Sequence, residues 1–254
     1  MARNRTAMSQ ALFGRLIEHA DQEGVPVSHP ECGRYIKRLN DSDADLMSAG
    51  AATTVVVNRH IRLVRINHGD HLYFCTFGLP EPEEPLSGLE NIPTTPGIFA
   101  LAVLEANIRP SRAVTAATIK EVLDEAHMGN GQGYAGHDLE EVIPLFSPLV
   151  VYRVTDQLDY HFNTERVLGS ILARTYLDGP ILLDPETVEI FVRVFEHESA
   201  FIPFRNLIQG MLSISWENLF VEIYRCVEQL YALPRVERLK AELPFASSAR
   251  DLVH

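Results

Sequence analysis

The stretch His68-Gly69-Asp70-His71, with His60 eight positions before His68, offers imidazoles and a carboxylate to a divalent ion. Nitrogen and carboxylate ligands of this kind hold zinc and activate a bound water for hydrolysis. A second chemical signature is Gly131-Gln132-Gly133-Tyr134-Ala135-Gly136, a literal G-x-G-x-x-G. That spacing cradles a pyrophosphate only where a strand leads in and a helix N-terminus follows. Here a helical pattern leads in, and Asp138 and Glu140 occupy the first turn of the next helix. Both carboxylates use the helix dipole themselves and disfavour a further anion, so the stretch reads as a surface loop. His197, between Glu196 and Glu198, reads as a solvated surface residue. Cys32, Cys75 and Cys226 are an odd, widely spaced set without C-x-x-C and read as reduced thiols. The chain has no G-x-S-x-G, no P-loop and no H-E-x-x-H. We therefore assign no catalytic residue, no cofactor and no metal. A metal-dependent hydrolase or a ribonuclease using His68, Asp70 and His71 is the alternative.

Two partial resemblances bear on that alternative. The His68–His71 box is similar to the H-x-H-x-D-H ligand box of metallo-β-lactamase-like hydrolases, but Ile66 stands where its first histidine would be. Arg62 and His68 match the R-x4-6-H spacing of HEPN-type ribonucleases. In that family the pair lies at a helix, whereas both residues here fall on a predicted strand and its turn.

The elements around these residues divide into three regions. In residues 1–88, Ser9 to Ala20 is an amphipathic helix with Leu12, Phe13, Leu16 and Ile17 on its apolar side. A second helix is predicted from Glu31 to Leu39. Thr53 to Ile66 is rich in β-branched residues, and His71 to Phe77 alternates with aromatics. The turn Asn67-His68-Gly69-Asp70 between them predicts a β-hairpin. Pro80-Glu81-Pro82-Glu83-Glu84-Pro85 follows as a stiff acidic linker.

Residues 94–163 read as three helices and a strand hairpin. The helices fall at Gly97 to Glu105, at Val114 to Leu123 with Thr115 as N-cap, and at Asp138 to Leu145. Leu149 to Val154 and Leu158 to Phe162 are the predicted strands, turning at Asp156-Gln157. This order resembles winged helix-turn-helix domains over about seventy residues. The resemblance implies a third helix that reads DNA by its major groove, with phosphates neutralised by Lys and Arg. This segment instead holds four basic and nine acidic residues, net −5, and its third helix opens with Asp138, Glu140 and Glu141. The expectation is a protein-binding winged helix. A winged-helix nucleic-acid regulator working through the Arg59, Arg62, Arg65 strand rather than the third helix is the rival reading, and Arg3 and Arg5 in the N-terminal tail are the other local basic patch.

Residues 164–254 are predicted to be helical, at Glu165 to Leu177, Pro185 to His197 and Trp216 to Tyr231, with Pro234 beyond the last. Trp216, Phe220, Ile223, Val227 and Leu230 follow a 3-4 spacing over two heptads. Residues 216–231 resemble the opening helix of HEPN-like modules of prokaryotic defence proteins. Arg250 to His254 lacks that family's R-x4-6-H spacing, so the resemblance implies an inactive or truncated module used for pairing.

The expected class is α+β and predominantly helical: an N-terminal α+β module with a hairpin, a central winged-helix-like domain and a C-terminal helical region. The net charge of −12 disfavours general binding to nucleic acid or anionic membrane. No apolar run is long enough to cross a bilayer, and the N-terminus lacks a signal-peptide h-region, so the expected compartment is the cytoplasm. The expected function is a non-catalytic structural or regulatory subunit of a prokaryotic complex, of the antiviral-defence type. Its partner is another protein or a second copy, met through Trp216, Phe220, Ile223, Val227 and Leu230, with Asp138, Glu140 and Glu141 as a further contact.

Overall fold

Gly69, at φ +56°, turns the chain between β2 (Arg62–His68) and β3 (His71–Phe77), which pair antiparallel with His68 opposite His71. In this computed structural model residues 5–30, 33–37, 40–58, 60–125, 134, 136–175, 181–197 and 202–242 are described. The β-branched stretch predicted as one long strand is two: β1 (Ala51–Val56) turns at Asn58 and pairs back along β2. Asn58 makes that turn by accepting from the backbone N–H groups of His60 and Ile61. With β4 (Leu89–Asn91) and β5 (Leu149–Val154) these strands form an antiparallel sheet in the order β1-β2-β3-β5-β4.

The chain divides into two units, one of Met1–Pro80 with Leu89–Asp156 and the other of Glu81–Gly88 with Gln157–His254. In the first, one sheet face (Val64, Ile66, Cys75, Phe77 and Val151) packs with α1 (Arg5–Gln22), α2 (Asp41–Ala49), α3 (Pro96–Glu105) and α4 (Ala116–Glu125). The apolar side predicted for the first helix is the buried one, with Leu12, Phe13 and Leu16 in the core. The predicted third helix of the middle region is short: α5 (Leu139–Val142) tightens into a 3₁₀ turn at Ile143–Leu145. The helix expected from Glu31 to Leu39 is corrected here. Gly33–Lys37 is extended rather than helical; Ile36 bridges to His137, and buried Arg34 donates to the Ser28 and His29 carbonyls. The helix of this region is α2 instead, Asp41–Ala49, with Asn40 as its N-cap.

The second unit contains α6 (Thr164–Arg174), α7 (Pro185–His197), α8 (Phe204–Met211) and α9 (Trp216–Glu242). Its core gathers Val167, Leu168, Ile171, Val188, Phe191, Phe195, Phe204, Leu207, Ile208, Met211 and Leu219. The strand predicted at Leu158–Phe162 is instead a 3₁₀ turn at Asp159–Phe162, and β5 finds its partners in β3 and β4. Tyr160 and His161 are buried there, both bonded to the Ser87 carbonyl, which a strand's alternation would not allow. Pro234 lies inside α9 rather than beyond its end. The architecture is α+β and predominantly helical, as the pattern predicts.

Candidate protein-binding face

Ser215 starts α9, its Oγ accepting from the N–H of Asn218 at 3.3 Å. Among the described side chains Leu219 and Cys226 are the buried contacts of the helix, and α9 packs on α8, where Gly210 lets the helices close against Leu219. The neighbouring side of α9 is open. Trp216 is 57 % exposed, Phe220 68 %, Val227 41 % and Leu230 39 %, with Ile223 half-buried beside them. Tyr224 and Tyr231 extend the same side, and the rings of Phe220 and Tyr224 stack 6.4 Å apart. An α-helix of this length runs about 40 Å, and its open apolar side is a continuous stripe rather than scattered single residues.

The second predicted contact is partly occupied by the chain itself. Asp138 pairs with Lys37 at 3.0 Å, and Glu141 accepts from the N–H of Asp138, closing the N-terminus of α5. Glu140 is exposed.

The candidate metal ligands are not brought together. His68 and His71 face each other across the hairpin, and His68 Nε2 meets Asp45 of α2 at 2.8 Å. His60 lies in the turn at the far end of β2, roughly 20 Å of strand away. Arg62 and His68 are likewise at opposite ends of β2. Arg62 and Arg65 point to opposite sheet faces, since side chains alternate along a strand. Arg59 and Arg3 lie outside the described residues, as does most of the glycine-rich loop, and Arg5 opens α1. No group of three potential ligands occurs among the described residues.

A polar centre in the second unit escaped the sequence reading. The buried Glu196 carboxylate accepts from Ser170 and Ser87, each at 2.7 Å, and lies 3.6 Å from Arg174. Arg166 donates to the carbonyls of Phe195 and Glu196, each at 2.7 Å, capping α7, and lies over the Phe204 ring. Burial pushes the Arg166 pKa down, against the pull of Asp159 and Tyr160. The Tyr160 hydroxyl donates to the Ser87 carbonyl at 2.5 Å, and burial, then Glu196, push its pKa up. His161 Nδ1 accepts from the N–H of Leu158, leaving Nε2 to donate to Ser87. These bonds tie the elements of the unit together and spend the groups that acid–base chemistry would use. The sequence signal was the spacing Arg166, Ser170, Arg174, which aligns polar groups on one side of an otherwise apolar helix.

No helix among the described residues is long and apolar enough to cross a membrane. Comparison with protein families, with curated proteins and with solved structures finds no match to this chain.

Proposed function

We propose that this chain is a non-catalytic assembly subunit of a cytoplasmic prokaryotic complex, of the defence type that its HEPN-like helix resembles, and that it assembles through α9. The observation that carries this reading is the open stripe from Trp216 to Tyr231. Burying side chains of this size is worth about 1.5 to 3 kcal/mol each, so a covered stripe is strongly favoured over a wet one. The middle region is read as an assembly module rather than a DNA reader, since its last helix, α5, turns Glu140 to solvent.

The occupant is a second copy of the chain, with its α9 antiparallel. Glu217, Glu222 and Glu228 outnumber Arg225 in the first half of α9, whereas Arg235, Arg238 and Lys240 outnumber Glu237 and Glu242 in the second. Antiparallel pairing lays stripe on stripe and acidic half on basic half. Light scattering on the purified chain tests this. The wild type is expected at twice the 28.5 kDa chain mass, and Phe220→Asp or Ile223→Asp at the chain mass with an unchanged helical spectrum. A monomeric wild type at tens of micromolar, or a dimer indifferent to both substitutions, overturns the reading.

A further inference from the structure

In the first unit a cleft of about 700 Å³ opens between the β1–β2 turn, the end of β3 and the loop joining α3 to α4. Its walls are stitched by backbone bonds. The Gly78 N–H donates to Pro148, Pro110 bridges to Phe146, and the Ser111 N–H donates to Leu145. Gly78 is required in its wall: its φ is +77°, and a Cβ there would stand 2.3 Å from the His60 carbonyl. Four cationic or cation-forming side chains line the cleft, His60, Arg62, Arg109 and Arg112, together with the hydroxyl residues Ser111 and Ser147. Among the described residues no Asp, Glu, Phe, Tyr or Trp lines it. Among the described residues none of these three arginines pairs with a carboxylate. Arg62 is held from behind, donating to the Ala106 and Asn107 carbonyls where α3 ends, and its Nε is buried without a partner.

Uncompensated guanidiniums around a polar, stitched cavity are an anomaly in a chain of net charge −12. Guanidinium forks match phosphate oxygens in pairs. We propose that this cleft binds a polyphosphate group, the di- or triphosphate of a compact molecule, gripped by Arg62, Arg109 and Arg112. The volume is that of a small-molecule site and exceeds what one phosphate fills. A nucleic-acid strand is the wrong ligand. Strand-binding grooves add aromatic platforms for the bases, which this cleft lacks, and the overall charge repels a long polyanion.

Titration calorimetry with inorganic triphosphate, ATP, inorganic phosphate and an oligothymidine tests the site, at about 150 mM salt so that diffuse charge attraction is suppressed. Triphosphate is expected to bind saturably and at least about tenfold more tightly than phosphate, in keeping with paired guanidinium contacts. Equal affinity for ATP and triphosphate means that recognition stops at the phosphates. Tighter ATP means a nucleotide ligand, and both results support the site. The pair Arg109→Ala with Arg112→Ala sits on an exposed loop and leaves the Arg62 cap in place, so the protein should fold and bind about tenfold or more weakly. Arg193→Ala, exposed on α7, should bind as the wild type does. Absence of saturable triphosphate binding overturns the proposal, as does affinity unchanged in the double variant or tighter binding of the oligothymidine.

Discussion

The Asp43 carboxylate lies against the N-terminus of α3, its Oδ1 3.0 Å from the N–H of Gly97 and 2.5 Å from the Thr95 hydroxyl. Asp43 belongs to α2, so one buried carboxylate caps a helix from another element and fixes how closely the two approach. A Cβ on Gly97 would meet Asp43 atoms at 2.7 and 2.8 Å, so the glycine is what admits the contact. Removing the acceptor leaves first-turn donors unmet in a buried place. Asp43→Ala should therefore lower stability by about 1 to 3 kcal/mol. Asp43→Asn, which keeps an acceptor oxygen, should cost less. Urea unfolding of the three proteins checks the order, and equal midpoints would remove the cap from the account.

Gly169 and Phe195 set the spacing of α6 and α7 in the same manner. A Cβ at Gly169 would stand 2.1 Å from the Phe195 ring. Gly169→Ala is expected to destabilise by about 1 to 3 kcal/mol or more, the usual cost of forcing volume into a packed core. Shrinking the partner should recover part of that loss. In the double variant Gly169→Ala with Phe195→Leu, the penalty should be smaller than the sum of the single ones, as coupled neighbours require. Strict additivity would mean that the two residues do not touch.

The Cys75 and Cys226 thiols are both buried and free, and burial pushes both pKa values up, that of Cys226 to about 11. Neither should alkylate at pH 8 in the folded chain, while both should in urea, as mass mapping would show. The sign of the pH effect follows. Above an ordinary thiol pKa near ~8.5 the unfolded chain loses the Cys226 proton, whereas the folded chain keeps it until about 11. The unfolded state then binds fewer protons, so stability is full below that range and falls as pH rises through it. Between pH 8 and pH 10 the wild-type urea midpoint should fall further than that of Cys226→Ala. Identical falls would show that this thiol titrates alike in both states.

Local chemistry was readable in the sequence wherever it decides structure alone. Asp184, whose Oδ1 accepts from the Thr187 N–H, and Pro185 in the first turn start α7, although Val188, Ile190, Val192 and Val194 alternate as in a strand. The Gly69-Asp70 turn marked the β2–β3 hairpin. Where distant partners decide, the pattern misled. Leu158 to Phe162 alternates like a strand, but Tyr160 and His161 both reach Ser87, more than seventy positions away, and the backbone winds tightly to let them. Glu31 to Leu39 has a helical spacing, but Arg34 serves the Ser28 and His29 carbonyls and Ile36 bridges to His137. The α9 stripe was readable as a 3-4 repeat, yet only the packing of Leu219 and Cys226 tells which side stays open. The arginine cleft was invisible for the same reason. Arg62 is more than forty positions from Arg109 and Arg112 in sequence, and its strand neighbour Arg65, grouped with it by spacing, faces the other way.

The antiparallel pairing of α9 makes a prediction that a generic sticky surface does not share. Glu217 and Arg235 are both exposed and stand eighteen positions apart, five full turns at 3.6 residues per turn, so they lie on one side of the helix. A two-fold axis midway between them, near Cys226, puts Glu217 of each copy across from Arg235 of the other, while the centre of the apolar stripe stays within a turn of that axis. Symmetry makes every such contact occur twice. Exposed pairs are worth roughly 0.2 to 1 kcal/mol each, so reversing one charge turns two mild attractions into two repulsions. Glu217→Arg alone and Arg235→Glu alone should each weaken dimerisation by about tenfold at low salt, and less at high salt as screening sets in. The double variant restores opposite charges across the axis and should dimerise nearly as the wild type does. Sedimentation equilibrium of the four proteins distinguishes the cases. A double variant as weak as the sum of the singles would mean that the two residues do not meet, and would leave the stripe without its antiparallel register.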